Sequence, residues 1–230
     1  MKKISVLFCL LTLFMGKSLF AQDGLVASDF EKRINAQKPQ LLDVRTAGEY
    51  QGGHLKNSLQ ADWLNKDQFA DRIKYLDKNK PLLVYCASGM RSAAAAKWLS
   101  DNGFKDVQNL KGGLTAWKMD GKAVEAPAAK AQMSLDQYKQ LSASNDVVLV
   151  DFGAEWCPPC KKMEPVLAQL ENELSNKYKL VKVDGGMDID VMKAQKVEAI
   201  PVFIIYKKGK EVWRKQGVVE LDELKKQLSK

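Results

Sequence analysis

The chain has 230 residues, 46% hydrophobic and 28% charged, with 36 basic against 28 acidic side chains and a net charge of +8. That composition suits one large or two small globular domains and excludes disordered and collagen-like chains. With four cysteines and a single histidine, His54, a metal site built on several histidines is excluded, and a Ser-His-Asp hydrolase would have only that one imidazole.

Lys2 and Lys3 precede an apolar run from Ile4 to Met15, and Ala21 closes the segment. A charged start, about 7–15 apolar residues and a small residue at the end describe a secretory signal peptide over residues 1–21. The run is interrupted by Lys17 and falls short of the ~20 apolar residues of a membrane anchor. Cleavage after Ala21 would discard Cys9, Lys2, Lys3 and Lys17, leaving 33 basic against 28 acidic residues. The mature protein is then expected in the periplasm or outside the cell. Its bases are scattered, with the tightest group at Lys207, Lys208 and Lys210, so no nucleic-acid partner is expected.

Within residues 22–122, Leu41 to Val44 and Pro81 to Tyr85 are short apolar runs that predict buried strands, and Val107 to Leu110 predicts a third. Ser92 to Asp101 is rich in alanine and is followed by Gly103, which predicts a helix capped at both ends. Alternating strands and helices imply a parallel α/β sheet. Between the second strand and the helix lies Cys86-Ala-Ser-Gly-Met-Arg91. Successive backbone N–H groups in such a loop, with the helix N-terminus behind them, cradle an anion and favour a thiolate. Arg91 adds a fork of donors suited to oxyanions.

These residues, with Leu42-Asp43-Val44-Arg45, Glu49 to Leu55 and the closing Leu110 to Trp117, resemble the rhodanese family over about 90 residues. Four residues separate Cys86 from Arg91, as in sulfurtransferases; related phosphatases place five there. The resemblance implies that Cys86 carries a persulfide. Arg91 and the amides of Ala87, Ser88, Gly89 and Met90 would then hold the anionic substrate, with Asp43 and Arg45 supporting. A structural ion pair is the plainer reading of Asp43 and Arg45, and a turn-fixing role the plainer one of His54. Leu55 to Leu59 departs from the family, which more often has a proline and small residues there.

Residues 123–133 are poor in large apolar side chains and read as a linker. The second domain, residues 134–230, opens on Ser134-Leu-Asp-Gln137, a capping box. Next come an expected strand Val147 to Phe152, a helix Pro158 to Leu174, a strand Leu180 to Asp184, a hairpin pairing Val202–Tyr206 with Glu211–Arg214, and a last helix Val219 to Leu228. Trp156-Cys157-Pro158-Pro159-Cys160 falls between the first strand and the first long helix. Two cysteines three apart at a helix start can close a small disulfide, and the dipole favours the first as thiolate.

The motif in this setting resembles thioredoxin. The resemblance implies that Asp151 helps take the proton of Cys160, that Lys182 pairs with Asp151, and that Ile200 with a cis Pro201 forms the substrate edge beside the Cys157–Cys160 redox disulfide. Pro-Pro replaces the usual Gly-Pro between the cysteines, and Val202 the usual threonine. The whole is expected to be α/β: a rhodanese-like parallel-sheet domain followed by a thioredoxin-like mixed-sheet domain.

The resulting expectation is a thiol-redox sulfurtransferase in which Cys86 accepts sulfane sulfur from thiosulfate or a persulfide donor and the Cys157/Cys160 dithiol reduces it. An external reductant, such as a membrane-linked one, would reopen the disulfide; no cofactor or metal is expected. Two alternatives compete with it. One is a general exported disulfide reductase with the first domain as a docking or sensing module. The other, a phosphatase or arsenate-type reductase at Cys86, is disfavoured by the short loop.

Overall fold

The computed structural model describes residues 24–126 and 131–230; the expected signal peptide and Cys9 lie outside them. Two four-stranded sheets follow one another along the chain.

The first sheet is built from β1 (Gln40–Asp43), β2 (Leu59–Gln60), β3 (Leu82–Tyr85) and β4 (Val107–Asn109), with α1 (Ala27–Gln37), α2 (Ala47–Gln51), α3 (Lys66–Ile73), α4 (Met90–Asp101) and α5 (Gly113–Met119). Its strand order is β2-β1-β3-β4, every pair parallel. β3 is buried along its whole length, as a parallel strand covered on both faces must be. The two-residue alternation of strands sorts its side chains: Leu82, Val84 and Cys86 join Leu42 and the α3 and α4 residues Phe69, Ala95 and Leu99. Leu83 and Tyr85 join Leu41, with Phe30 of α1 and Leu114 and Trp117 of α5.

The second sheet comprises β5 (Val147–Gly153), β6 (Lys179–Asp184), β7 (Val202–Lys207) and β8 (Lys210–Gln216), with α6 (Leu135–Ser142), α7 (Pro158–Leu174), α8 (Ile189–Ala194) and α9 (Leu221–Ser229). The order is β6-β5-β7-β8, with β5 parallel to β6 and antiparallel to β7. Val148, Val150 and Phe152 face α6 and α8, whereas Leu149 and its β7 neighbours Phe203 and Ile205 face α7 and α9. The Ser134–Gln137 capping box is present in both directions, and α7 begins and ends where the sequence placed it. Among the described residues no helix is long and apolar enough to cross a membrane.

Several local features depart from expectation, among them helices α1, α2, α3, α5 and α8, which were not expected, and α9, which starts at Leu221 and not Val219. α4 starts at Met90, not Ser92, because Gly89 at φ 89° turns the chain directly into the helix, and no side chain caps that end. The edge strand β2 was not expected: two residues are too few to carry a periodic signal.

The first domain's backbone extends to Glu125, which exchanges hydrogen bonds with His54, and the second begins by Met133, whose N–H donates to Asp188 Oδ1. The domains are in contact. The Gln60 N–H, on the free edge of the first sheet, donates to the Trp156 carbonyl at 2.8 Å, and Tyr50 packs into the apolar cluster around Trp156 and Cys157.

Candidate active site

Cys86 is fully buried at the C-terminal end of β3. Its Sγ accepts from the Gly89 amide at 3.1 Å and lies 3.3 Å from the Ser92 hydroxyl. The Ser92 hydroxyl also donates to the carbonyl of Gly89, the N-cap of α4, at 3.2 Å. The start of α5 clamps the loop from behind: the Leu114 amide donates to the Cys86 carbonyl at 2.8 Å, and the Thr115 amide and hydroxyl both reach the Ala87 carbonyl at 3.0 Å. That approach needs glycine at position 113, where φ is 59° and an added Cβ would lie 2.5 Å from the Cys86 carbonyl oxygen. Ser88 and Met90 are exposed at the loop's outer rim, while Gly89 is buried.

Arg91, expected in the anion cradle, has its fork engaged elsewhere. Nη1 and Nη2 donate to the two carboxylate oxygens of Glu49 at 2.8 and 2.6 Å. The Arg91 hydrogen bonds hold the Glu49 carboxyl down at about 2, against the opposing effect of burial. Sequence reasoning missed this partner. The signal available was Thr46-Ala-Gly-Glu49, a capping box that opens α2 and fixes Glu49 where it meets Arg91.

Asp43 and Arg45 form a buried pair, with Arg45 Nε 2.9 Å from both Asp43 oxygens and Nη2 donating to the Gly53 carbonyl at 2.7 Å. Their partners are each other and the turn after α2. His54 sits in that turn, its Nδ1 3.0 Å from the Tyr50 carbonyl and its ring stacked on Tyr50 at 3.8 Å.

In the second domain Cys157 is the N-cap of α7, with Pro158 and Pro159 filling the first helical positions, where a missing N–H costs little. Cys157 is fully buried, and its Sγ lies 3.7 Å from the carbonyl of Ile200. The Ile200–Pro201 bond is cis, and the Pro201 carbonyl accepts from the Gly217 amide at 2.8 Å. Burial pushes the Cys157 thiol up, but its hydrogen bond with Cys160 and the nearby Arg72 charge bring it below the ordinary cysteine value. Cys160 is raised far above it, first by that same hydrogen bond and then by burial. The first cysteine is thus favoured over the second as the thiolate.

Asp151 and Lys182 are partners across β5 and β6. Burial pushes the Asp151 carboxyl up to about 6, opposed by the Lys182 charge. Asp151, Gly153, Cys160 and Lys182 line a cavity of about 440 Å³, which brings the second thiol and the carboxyl to one space.

The first domain surrounds Trp156. Besides the bond from Gln60, the Tyr50 ring lies 5.7 Å from the indole. The Arg72 guanidinium lies over it at 5.1 Å. α2 therefore touches both reactive loops, Glu49 holding Arg91 and Tyr50 packing on Trp156. The contacts of Gln60, Arg72 and Tyr50 with Trp156 had no sequence signal, since Trp156 lies far along the chain.

A rhodanese-like domain model matches residues 26–120, and a thioredoxin model matches residues 129–230. The first region is similar to thiosulfate sulfurtransferase GlpE of Shewanella oneidensis, 35% identical over 40% of this chain and 89% of that protein. The second is similar to a thioredoxin of Chlamydia trachomatis, 42% identical over 39% of this chain and 86% of that protein. It is also similar to chloroplastic thioredoxin Y of Oryza sativa, 36% identical over 44% of this chain and 60% of that one. Among solved structures, a rhodanese-related protein from Thermoplasma volcanium is 31% identical, covering 44% of this chain and 96% of that one with a TM-score of 0.40. A mutant thioredoxin from Halobacterium salinarum is 27% identical, covering 43% and 86%, with a TM-score of 0.39.

Proposed function

We propose, from a chain that belongs to the rhodanese family in its first domain and to the thioredoxin family in its second, that it is an exported thiol-redox sulfurtransferase that reduces sulfane sulfur to sulfide. The observation that carries this reading is the placement of α2, which touches the Cys86 loop through Glu49 and the Cys157 loop through Tyr50.

The Cys86 thiolate attacks the outer sulfur of thiosulfate, or of another persulfide donor, and becomes a persulfide; with thiosulfate the S–S bond breaks and sulfite leaves. The Cys157 thiolate next attacks the outer sulfur of that persulfide, and Cys86 departs as thiolate. Cys160 then attacks the inner sulfur on Cys157, losing its proton to Asp151. Hydrosulfide leaves and the Cys157–Cys160 disulfide closes. The dithiol has supplied the two electrons that take the transferred sulfur to sulfide, and an external two-electron reductant, such as a membrane-linked dithiol, must reopen the disulfide. The tether from Glu125 to Met133 is short, and a linker that can reach holds one domain at about millimolar effective concentration near the other.

Mass spectrometry after thiosulfate treatment tests the first step: one sulfur is added to the wild-type chain and none to Cys86→Ala. Sulfur retained by Cys86→Ala overturns the assignment. Cys157→Ala is expected to keep the persulfide and release no sulfide. Protein-disulfide reduction unaffected by Cys86→Ala, with no sulfide from thiosulfate, would instead mark a general disulfide reductase.

A further inference from the structure

Arg72, on α3 of the first domain, is only 6% exposed. A buried guanidinium is costly unless an anion and hydrogen-bond acceptors compensate it. Its acceptors are the backbone carbonyl of Gln60 at 3.2 Å and the Gln60 side-chain oxygen, both neutral. Its Cζ lies 5.1 Å from the centre of the Trp156 indole, a cation–π contact that stabilises charge only in part. Among the described residues, Arg72 makes no ion pair with a carboxylate, although Arg33, Arg45, Arg91 and Arg214 all do. The residue after Trp156 is Cys157. Among the described residues, the groups acting most strongly on that thiol are Cys160 from its own helix, Arg72 from α3 and Asp151 from β5; of these, Arg72 is the cation.

We propose that Arg72 is a positioning residue for the active site of the other domain: it takes the Cys157 thiolate as its counter-ion, so that Cys157 is fully reactive only while the two domains are docked. Three features of the geometry converge on this. Gln60 aims the guanidinium through its two oxygens while its own N–H grips the Trp156 carbonyl. The indole next to Cys157 lies against the guanidinium at 5.1 Å. Burial removes the water that would otherwise screen the charge. The electrostatics agree, since the largest opposing influence on Arg72, whose affinity for its proton is lowered by burial, is the charge of Cys157. The inference rests on the reading of Cys157 as the attacking thiolate and extends it by assigning part of its activation to the first domain.

The test is the pH dependence of iodoacetamide alkylation at Cys157 in the reduced full-length chain, read by peptide mass spectrometry. Arg72→Met keeps the apolar stem and removes the charge. It is expected to move the alkylation midpoint up by about one pH unit, so that below both midpoints Cys157 reacts about tenfold more slowly. Arg72→Lys keeps a cation and is expected to retain most of the wild-type midpoint. Gln60→Glu leaves Arg72 in place but gives it a competing carboxylate, and is expected to raise the midpoint in the same direction; this variant decides the matter should Arg72→Met not fold. Arg33→Met, which removes a cation from the remote pair with Asp106, is expected to leave the midpoint unchanged. A wild-type midpoint in folded Arg72→Met or in Gln60→Glu overturns the proposal, as does an equal shift in Arg72→Lys and Arg72→Met. Sulfide release plays no part in the readout, so failure of the sulfur-transfer reaction would leave an alkylation shift standing.

Discussion

Asp151 shows how a single side chain joins chemistry to stability. Its carboxyl is pushed by burial from the ordinary 3.8 to about 6, so the folded chain holds this proton more tightly than the unfolded one. A raised carboxyl contributes stability that is complete below about 3.8 and is lost as pH rises through about 6. Asp151→Asn is therefore expected to raise the unfolding free energy at pH 8 by roughly 2–3 kcal/mol and to change it little at pH 3. Denaturant titrations at the two pH values check this. The same variant is expected to slow sulfide release, because Cys160 loses its proton acceptor. The reactive cysteines were legible in the sequence because their chemistry is local: a strand end, a glycine or proline turn and a helix start are neighbours along the chain. The pairing of Arg91 with Glu49 was not, since 42 residues separate the partners.

At the scale of elements, α5 supports the Cys86 loop through its first turn. In Gly113→Ala the added methyl meets the Cys86 carbonyl, the Gly89 nitrogen and the Ala87 carbonyl carbon, all backbone, at a residue with positive φ. It is expected to cost about 2–4 kcal/mol of stability and to depress sulfur uptake more than dithiol reactivity. Thermal unfolding together with persulfide mass spectrometry reads both effects. Legibility here followed length and composition. The seventeen residues of α7 open on Pro158-Pro159 and repeat their apolar positions at helical spacing, and both ends were placed correctly. The eight-residue α3 and two-residue β2 offered too few periods, yet they carry Arg72 and Gln60 to the second domain.

For the whole molecule, the decisive property is that one chain supplies both reactive loops. Mixing full-length Cys86→Ala with full-length Cys157→Ala gives a solution containing every thiol but no complete chain. At micromolar protein, transfer within a chain is favoured over transfer between chains by the ratio of about millimolar effective to micromolar actual concentration, about a thousandfold. The mixture is therefore expected to release sulfide far more slowly than wild type and to accelerate on concentration, whereas the wild-type rate per chain stays constant. A mixture that matches wild type at low concentration would show that the domains work in separate molecules.

The sequence by itself indicated the two α/β domains, the parallel and mixed sheets, and the three cysteines at a strand end and a helix start. Each of these depends on hydrophobic alternation, helix-start chemistry or the spacing of a few adjacent residues. Only the tertiary structure decided which distant residues meet, within the first domain and between the two domains. The contacts of Glu49 with Arg91, Gln60 with the Trp156 carbonyl and Arg72 with the indole join residues from distant parts of the chain. Such contacts leave no local pattern, because burial and charge pairing depend on which surfaces meet, not on which residues adjoin.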